Sequence, residues 1–503
     1  MKKIVSYLVA LVFAISSVPV VQAADAENNS DMSYVSNMFG RSNALEYGEA
    51  PGIGWENVSV DWAAAEDTSG KIDADYILSV HNTLNAIKSS GKKAMLTIEN
   101  VPMWAVDKSE FTFDRDEGRY KLGEYIGIKY GKMVRNLTYP DGNVEEITVG
   151  TEQMPVSKRY QYAWTSFVEK IAKEFKADGV VYVQIGNNPF GSAKEYFSGA
   201  DEYFTGMHKP AADILHRYGY KVVCGGVSTG FGVTRILDLL DRQNGYDTID
   251  VFNLTYNTLG AVNYMYNELT KKGKENPSIW LTAVGYENSG VYTPNLYPRF
   301  LRWSIDVRDT SNPDQFKIFW SEKAQNGKEI PLCSNGELTI YGKEIAAIAN
   351  LLDGKTLNKF DRFEYGAQLN FHIFDNMSSA EGFKTEDGRV VLAAHFLKQN
   401  TAAIFSNDSG DTMHVNFSNS YTGIKISDIP RNSIVKRTTV TGNQWEINRE
   451  WNDDGTVYTE VAVPDKISAP AGNINETAEA VAANSGFMTS FYVEIVPPSE
   501  NAD

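Results

Sequence analysis

Five carboxylates, Asp61, Glu66, Glu99, Glu287 and Glu322, stand near the C-terminal ends of short apolar runs. Two carboxyl groups facing each other across a cleft are the basic equipment for cleaving a glycosidic bond: one moves a proton while the other attacks or activates water. A solvated or purely structural role is the simpler reading of each of the five. Sugars are also held by ring stacking and neutral hydrogen bonds, and Asn187, Asn188, Trp104, Tyr256, Tyr286 and Trp320 are candidate walls for such a cleft. Each of those aromatics would serve equally in a packed core. The six histidines, His81, His208, His216, His372, His395 and His414, are scattered without metal-ligand spacing, so no metal site is expected. Gly225, Gly226, Gly230 and Gly232 follow an apolar run but match neither phosphate-binding fingerprint. The acidic and amide clusters at 408–411 and 452–454 read as hairpin turns rather than calcium loops. No cofactor is implied.

The elements that must carry these residues alternate. Between about 31 and 361, short apolar runs are interleaved with segments of helical periodicity, which is the pattern of βα units around a parallel sheet. Eight strand candidates fall at 34–39, 55–60, 93–98, 180–186, 221–227, 249–256, 279–286 and 316–320, which points to a (β/α)8 barrel of the TIM type. Trp164, Phe167, Val168, Ile171, Ala172 and Phe175 form an apolar stripe at the helical period, and Ile345, Ile348, Ala349 and Leu352 form another, ended by Gly354. Little between 40 and 54 looks helical. The stretch 115–154 is too long for a routine barrel loop and predicts a hairpin over the barrel mouth, turning at Asp141-Gly142. Beyond 362 the pattern becomes short strands at 369–374, 389–393, 402–405, 414–417, 457–463 and 488–495. A second, antiparallel β-sandwich domain over 362–498 is therefore predicted, with 469–485 as a long surface loop.

With 503 residues, 42% hydrophobic and 22% charged, the chain has the composition of a globular protein large enough for two domains. Its 64 acidic against 47 basic residues give a net charge of −17, which repels phosphate backbones and anionic lipid, so nucleic acid is not an expected partner. Residues 1–23 read as a secretory signal: Lys2 and Lys3, an apolar run, then Val21-Gln22-Ala23 as the cleavage site. An exported protein, extracellular or periplasmic, without a membrane anchor is expected. Cys224 and Cys333 are the two cysteines. A disulfide between them is one reading, and Cys224 as a small buried residue is the preferred one.

The strand ends decide function in such a barrel, and two of them carry a family resemblance. Val-Gln-Ile-Gly-Asn-Asn-Pro at 183–189 resembles the fourth-strand motif of clan A retaining glycoside hydrolases, where a Trp-Asn-Glu-Pro run presents the acid/base glutamate. Asn188 stands in that glutamate's place. Ile-Trp-Leu-Thr-Ala-Val-Gly-Tyr at 279–286 resembles the clan's seventh-strand Trp-Leu-Thr-Glu-Phe-Gly-Trp run, and Ala283 stands where the nucleophile belongs. Residues 55–66 and 93–104 look like the second and third strands of the xylosidase- and iduronidase-like barrels. Asn57 replaces an arginine of that pattern, and Thr255, before Tyr256, replaces a common histidine.

The resemblance implies a glycoside-hydrolase fold. The replacements imply loss of its chemistry, because an amide carries no titrating proton and a methyl group cannot attack. The leading expectation is a secreted, catalytically inactive glycoside-hydrolase-like protein whose candidate partner is an oligo- or polysaccharide. Two alternatives stand beside it: an active glycoside hydrolase acting through relocated carboxylates, with Glu287 and Glu99 as fallbacks, and a surface or protein-interaction platform. The sequence sets no oligomeric state.

Overall fold

The computed structural model describes residues 32–498 apart from 45–49, 69, 116–117, 130–131, 151–153, 188, 190–198, 228–229, 256–258, 286–291, 325–326, 355, 367–378, 398–401, 407–411, 417–420, 448, 452–455 and 463–487. The signal-peptide stretch, the strand expected at 369–374 and the loop at 469–485 lie outside the described residues.

Eight parallel strands close into a barrel. They are β1 (Phe39–Ser42), β2 (Trp55–Asp61), β3 (Lys93–Glu99), β8 (Tyr182–Ile185), β9 (Lys221–Val223), β10 (Val251–Thr255), β11 (Ser278–Val284) and β12 (Phe316–Ser321). The intervening β4 (Phe111–Arg115), β5 (Gly118–Lys129), β6 (Lys132–Thr138) and β7 (Val144–Val149) form a four-stranded antiparallel sheet inserted after β3. The predicted hairpin is thus a larger meander.

Seven longer helices follow β2 to β12: α1 (Ala74–Ser89), α2 (Gln161–Glu174), α3 (Lys209–Arg217), α4 (Gly230–Gln243), α5 (Leu259–Lys271), α6 (Tyr292–Val307) and α7 (Ile340–Leu351). In α1, Asp73 caps the first turn through the Asp75 and Tyr76 N–H groups, and Ile77, Val80, Leu84 and Ile87 supply the buried face. The stripe expected from Trp164 to Ala172 is the buried face of α2.

The first strand departs from expectation. Tyr34–Met38 is a short helix capped by the Ser33 hydroxyl, and the strand runs over Phe39–Ser42. Between β1 and β2 the described residues form no helix. There Arg41 takes up the outer side, donating Nε and Nη2 to the two oxygens of Glu56 at 2.9 and 2.8 Å and Nη1 to Glu322 at 3.4 Å. Lys92 reaches Glu56 at 3.1 Å. Arg41, Glu56 and Glu322 are each 1% exposed, so this ion cluster is fully buried.

Two larger antiparallel sheets and a two-stranded antiparallel pair, Ala402–Ser406 with Thr412–Asn416, follow the barrel. The six-stranded one begins at Leu357–Lys359 and includes Ser379–Thr385, Val390–Leu397, Met488–Val496, Ile434–Thr439 and Gln444–Glu446. The four-stranded one holds Phe363–Gly366, Tyr421–Ile426, Val457–Ala462 and Glu450–Trp451. Val390, Leu392, Phe491 and Val493 of the first share an apolar cluster with Ile424, Ile426 and Val457 of the second. Phe383, Val391, Ala393 and Tyr492 alternate with these along the strands and belong to the barrel's own core.

Candidate functional site at the barrel mouth

Pleat alternation sorts the barrel strands into two faces. Val58, Val60, Leu96, Ile98, Val183 and Ile185 face the helices. Trp55, Met95, Tyr182, Val223, Val251, Trp280 and Phe319 form a separate cluster inside the barrel. On β1 the corresponding position is Gly40, where a Cβ would lie 2.3 Å from the Phe319 ring.

Two residues further along each strand the inner face changes character. Ser42, Asn57, Thr97, Gln184, Asn253, Thr282 and Ser321 come from seven strands, and Gly225 follows the eighth. An uncharged polar ring therefore lies on the aromatic layer, at a depth where barrels of this type mostly carry branched apolar side chains. Most of its groups are satisfied by one another. Thr97 donates to Asn57 Oδ1 at 2.7 Å. The Thr282 hydroxyl and N–H donate to Asn253 Oδ1 at 2.8 and 3.2 Å, Asn253 donates to Gln184 Oε1 at 3.1 Å, and Gln184 donates to the Gly186 carbonyl at 2.8 Å.

Above that ring, near the end of β11, Ala283 is 3% exposed and paired in register with Thr255. At the end of β8, Gly186 has φ +75°, and a Cβ there would sit 2.3 Å from the Tyr203 hydroxyl, so only glycine fits this turn. Asn187 follows it, half-buried, and Asn188 lies outside the described residues. Tyr256, Tyr286 and Glu287 lie outside them too.

The remaining candidates divide by face. Glu99 stands on the inner face, two residues beyond Thr97, and accepts a hydrogen bond from Ser59 across the β2–β3 pair. Asp61 caps Trp62–Ala65 through the Ala64 N–H and takes the Asn100 amide at 2.8 Å. Burial raises the Tyr76 phenol, with the negative charges of Asp61 and Glu99 adding to it, and its hydroxyl accepts the Asp61 N–H.

Glu66 is 4% exposed and bound by Trp62 Nε1 at 2.7 Å and Lys170 at 2.6 Å. Glu322 lies in the Arg41 cluster and accepts the Leu332 N–H at 2.9 Å. Trp104 packs edge-on against Trp62 and Tyr160. Trp320 is 1% exposed on the outer face, donating to the Ile330 carbonyl at 3.0 Å. The structure thus brings Ala283, Asn187 and Glu99 to the mouth and gives Trp104 and Trp320 packing partners elsewhere.

Sequence reasoning passed over the polar ring. Its signal was present: in seven of the eight strands the apolar run is broken by an amide or hydroxyl at an inward position, and the pattern emerges only when the strands are superposed in register. Cys224 and Cys333 are both free thiols, the first buried and the second half-buried. Among the described residues no group of His, Cys, Asp and Glu is arranged to hold a metal, and no helix is long and apolar enough to cross a membrane.

Comparison with known proteins places this architecture. No family model and no curated protein matches the chain. Solved structures do. A family 39 glycoside hydrolase from the gut symbiont Bacteroides cellulosilyticus aligns with a TM-score of 0.51 at 12% identity, covering 93% of this chain and 82% of its own. A GH30 endoxylanase from Clostridium papyrosolvens aligns with a TM-score of 0.50 at 11% identity, covering 92% and 96%. The fold of this chain is that of glycoside hydrolases with a parallel eight-stranded barrel.

Proposed function

We propose that the chain is an exported, glycoside-hydrolase-like protein that binds a saccharide at the barrel mouth and has lost retaining hydrolysis. The observation that carries this reading is Ala283: a buried methyl group, on an uncharged floor, stands at the strand end where the fold's chemistry would need a carboxylate. A retaining site requires two carboxyl groups about 5 to 5.5 Å apart. Asn188 and Ala283, read on the motifs they occupy, supply neither. An uncharged polar ring beneath the mouth suits a hydroxyl-rich ligand, since buried polar groups are kept only where they are satisfied or used. The sheets that follow the barrel are proposed to form a sandwich domain supporting it. Purified protein should show no turnover of aryl glycosides or of plant and microbial polysaccharides while still binding one of them in titration calorimetry. Turnover that disappears on Asn188→Ala or Glu99→Gln would sink the inactive reading.

Glu99 gives the rival reading one observation, an inward carboxylate at the mouth. An active enzyme of this kind needs a second acid facing it, and in that case Glu99→Gln would abolish a measurable rate.

A further inference from the structure

The mouth is asymmetric in what solvent can reach. On one side Gln184, Asn253, Thr255, Thr282 and Ala283 are all at most 3% exposed. On the β2–β3 side Asn57, Asp61, Glu99 and Asn100 are half-buried and Ser59 is exposed. Among the described residues, the ends of β2 and β3 thus present a group of solvent-reachable polar side chains at the mouth, away from Ala283.

On the β2–β3 side, Glu99 and Asp61 lie in register on the inner face, and Glu99 accepts a hydrogen bond from the Ser59 hydroxyl there. Its neighbour Asp61 is committed on both oxygens, Oδ1 to the Ala64 N–H and Oδ2 to Asn100. On the adjacent β1, Ser42 Oγ is fully shielded, faces inward by pleat alternation, and has no hydrogen-bond partner. A buried hydroxyl without a partner is costly and points to a group that completes it. At this rim, a carboxylate accepts hydrogen bonds from adjacent hydroxyls of a sugar ring and repels a second carboxylate or a sulfate. The chain's net charge of −17 acts in the same direction.

Resting on the saccharide-binding reading above, we propose that Glu99 is the specificity-determining residue of the mouth, and that the ligand is an uncharged glycan held through adjacent hydroxyls at the β2–β3 rim, with uronate-bearing and sulfated glycans excluded.

Calorimetric titration of the full chain with xylohexaose, cellohexaose and hexagalacturonate at neutral pH and moderate salt tests this. A neutral hexasaccharide should bind at least tenfold more tightly than hexagalacturonate. Glu99→Gln, which keeps the side-chain shape, should narrow that ratio at least threefold, and Glu99→Lys should reverse it. A rise in uronate affinity is a gain that misfolding cannot mimic. Equal binding of neutral and acidic ligands by the parent chain, or a ratio unmoved in both variants, overturns the inference while leaving saccharide binding intact. Binding of none of the three overturns both.

Discussion

Asn253 reaches past an intervening strand to donate its amide to Gln184 at 3.1 Å, joining β10 to β8 across the barrel. The reach exists because β9 brings glycines to that level: a Cβ on Gly226 would come within 3.1 Å of the same Asn253 nitrogen and 2.4 Å of Thr255. Asn253 also accepts both donors of Thr282. One amide thus ties the strand bearing Ala283 to the strand leading to Asn187.

Asn253→Ala should therefore strand three buried partners at once. An unsatisfied buried group costs about 1–3 kcal/mol, so urea unfolding should show a loss well above that of an ordinary surface change. Asn253→Asp keeps the acceptor for Thr282 but loses the donor to Gln184, and should fall between the parent and the alanine variant. A loss below about 0.5 kcal/mol for Asn253→Ala, the range of surface substitutions, would show that the ring is not tied in this way.

The Arg41 cluster makes a second prediction. Removing one member of a buried ion pair leaves an uncompensated charge and costs about 3–5 kcal/mol, whereas replacing the whole set by neutral groups is often close to neutral. Arg41→Met should accordingly be severely destabilising. The triple change Arg41→Met, Glu56→Gln and Glu322→Gln should recover most of the loss in thermal unfolding. Equal melting of the single and triple variants would mean that packing, not charge, holds this corner.

How far the sequence foretells this molecule depends on which force shapes each element. β2, β3, β11 and β12 are legible because strands buried on both faces read as apolar runs. Tyr34–Met38 reads as a strand because Tyr, Val and Met look strand-like, while the deciding interaction is the Ser33 cap on the Ser36 N–H. The meander from Phe111 to Val149 is visible as an insertion but does not resolve into four strands, since its turns and bulges outweigh periodicity. At the mouth, Ala283 and Glu99 can be named from motif and strand end alone. Trp320 and Glu322 cannot be assigned a face, because the two faces of a barrel strand differ by one residue and both are buried.

Two histidines should move stability with pH in opposite directions. Burial lowers His208 to about 4; its ring stacks on Phe204 and meets the Thr248 hydroxyl at 3.2 Å. The unfolded chain binds a proton near pH 6.5 that the folded chain refuses until about 4, so stability falls as pH drops through that window. At pH 4.5 the loss from this group is on the order of 2–3 kcal/mol, and His208→Gln should remove it from urea titrations at pH 7 and 4.5. Partial burial works against the charged form of His81, but its hydrogen bonds to Glu174 and Asp178 outweigh that and raise it. Its contribution is present below the unfolded pKa and disappears as pH rises through the folded one. His81→Gln should flatten the slope on the neutral side and leave the acid side alone.

Lys317 lies deepest, fully buried below the polar ring, with its ammonium 2.8 Å from Asp314 and 4.9 Å from the Trp55 ring centre. Burial pulls it down to about 8, although Asp314 opposes the shift. An unfolded lysine keeps its proton to about 10.4, so between these values the unfolded chain holds more protons and stability climbs with pH. From pH 7 to 9.5 the gain from this group is about 2 kcal/mol. Tyr182, raised by burial and by Asp314, acts in the opposite sense only at higher pH, where an unfolded tyrosine ionises and the folded one does not. Lys317→Met should therefore lose the alkaline rise seen in urea unfolding of the parent between pH 7 and 9.5. A parent whose stability is flat or falls across that range, in parallel with the methionine variant, would show that the barrel floor carries its lysine as an ordinary, fully charged group.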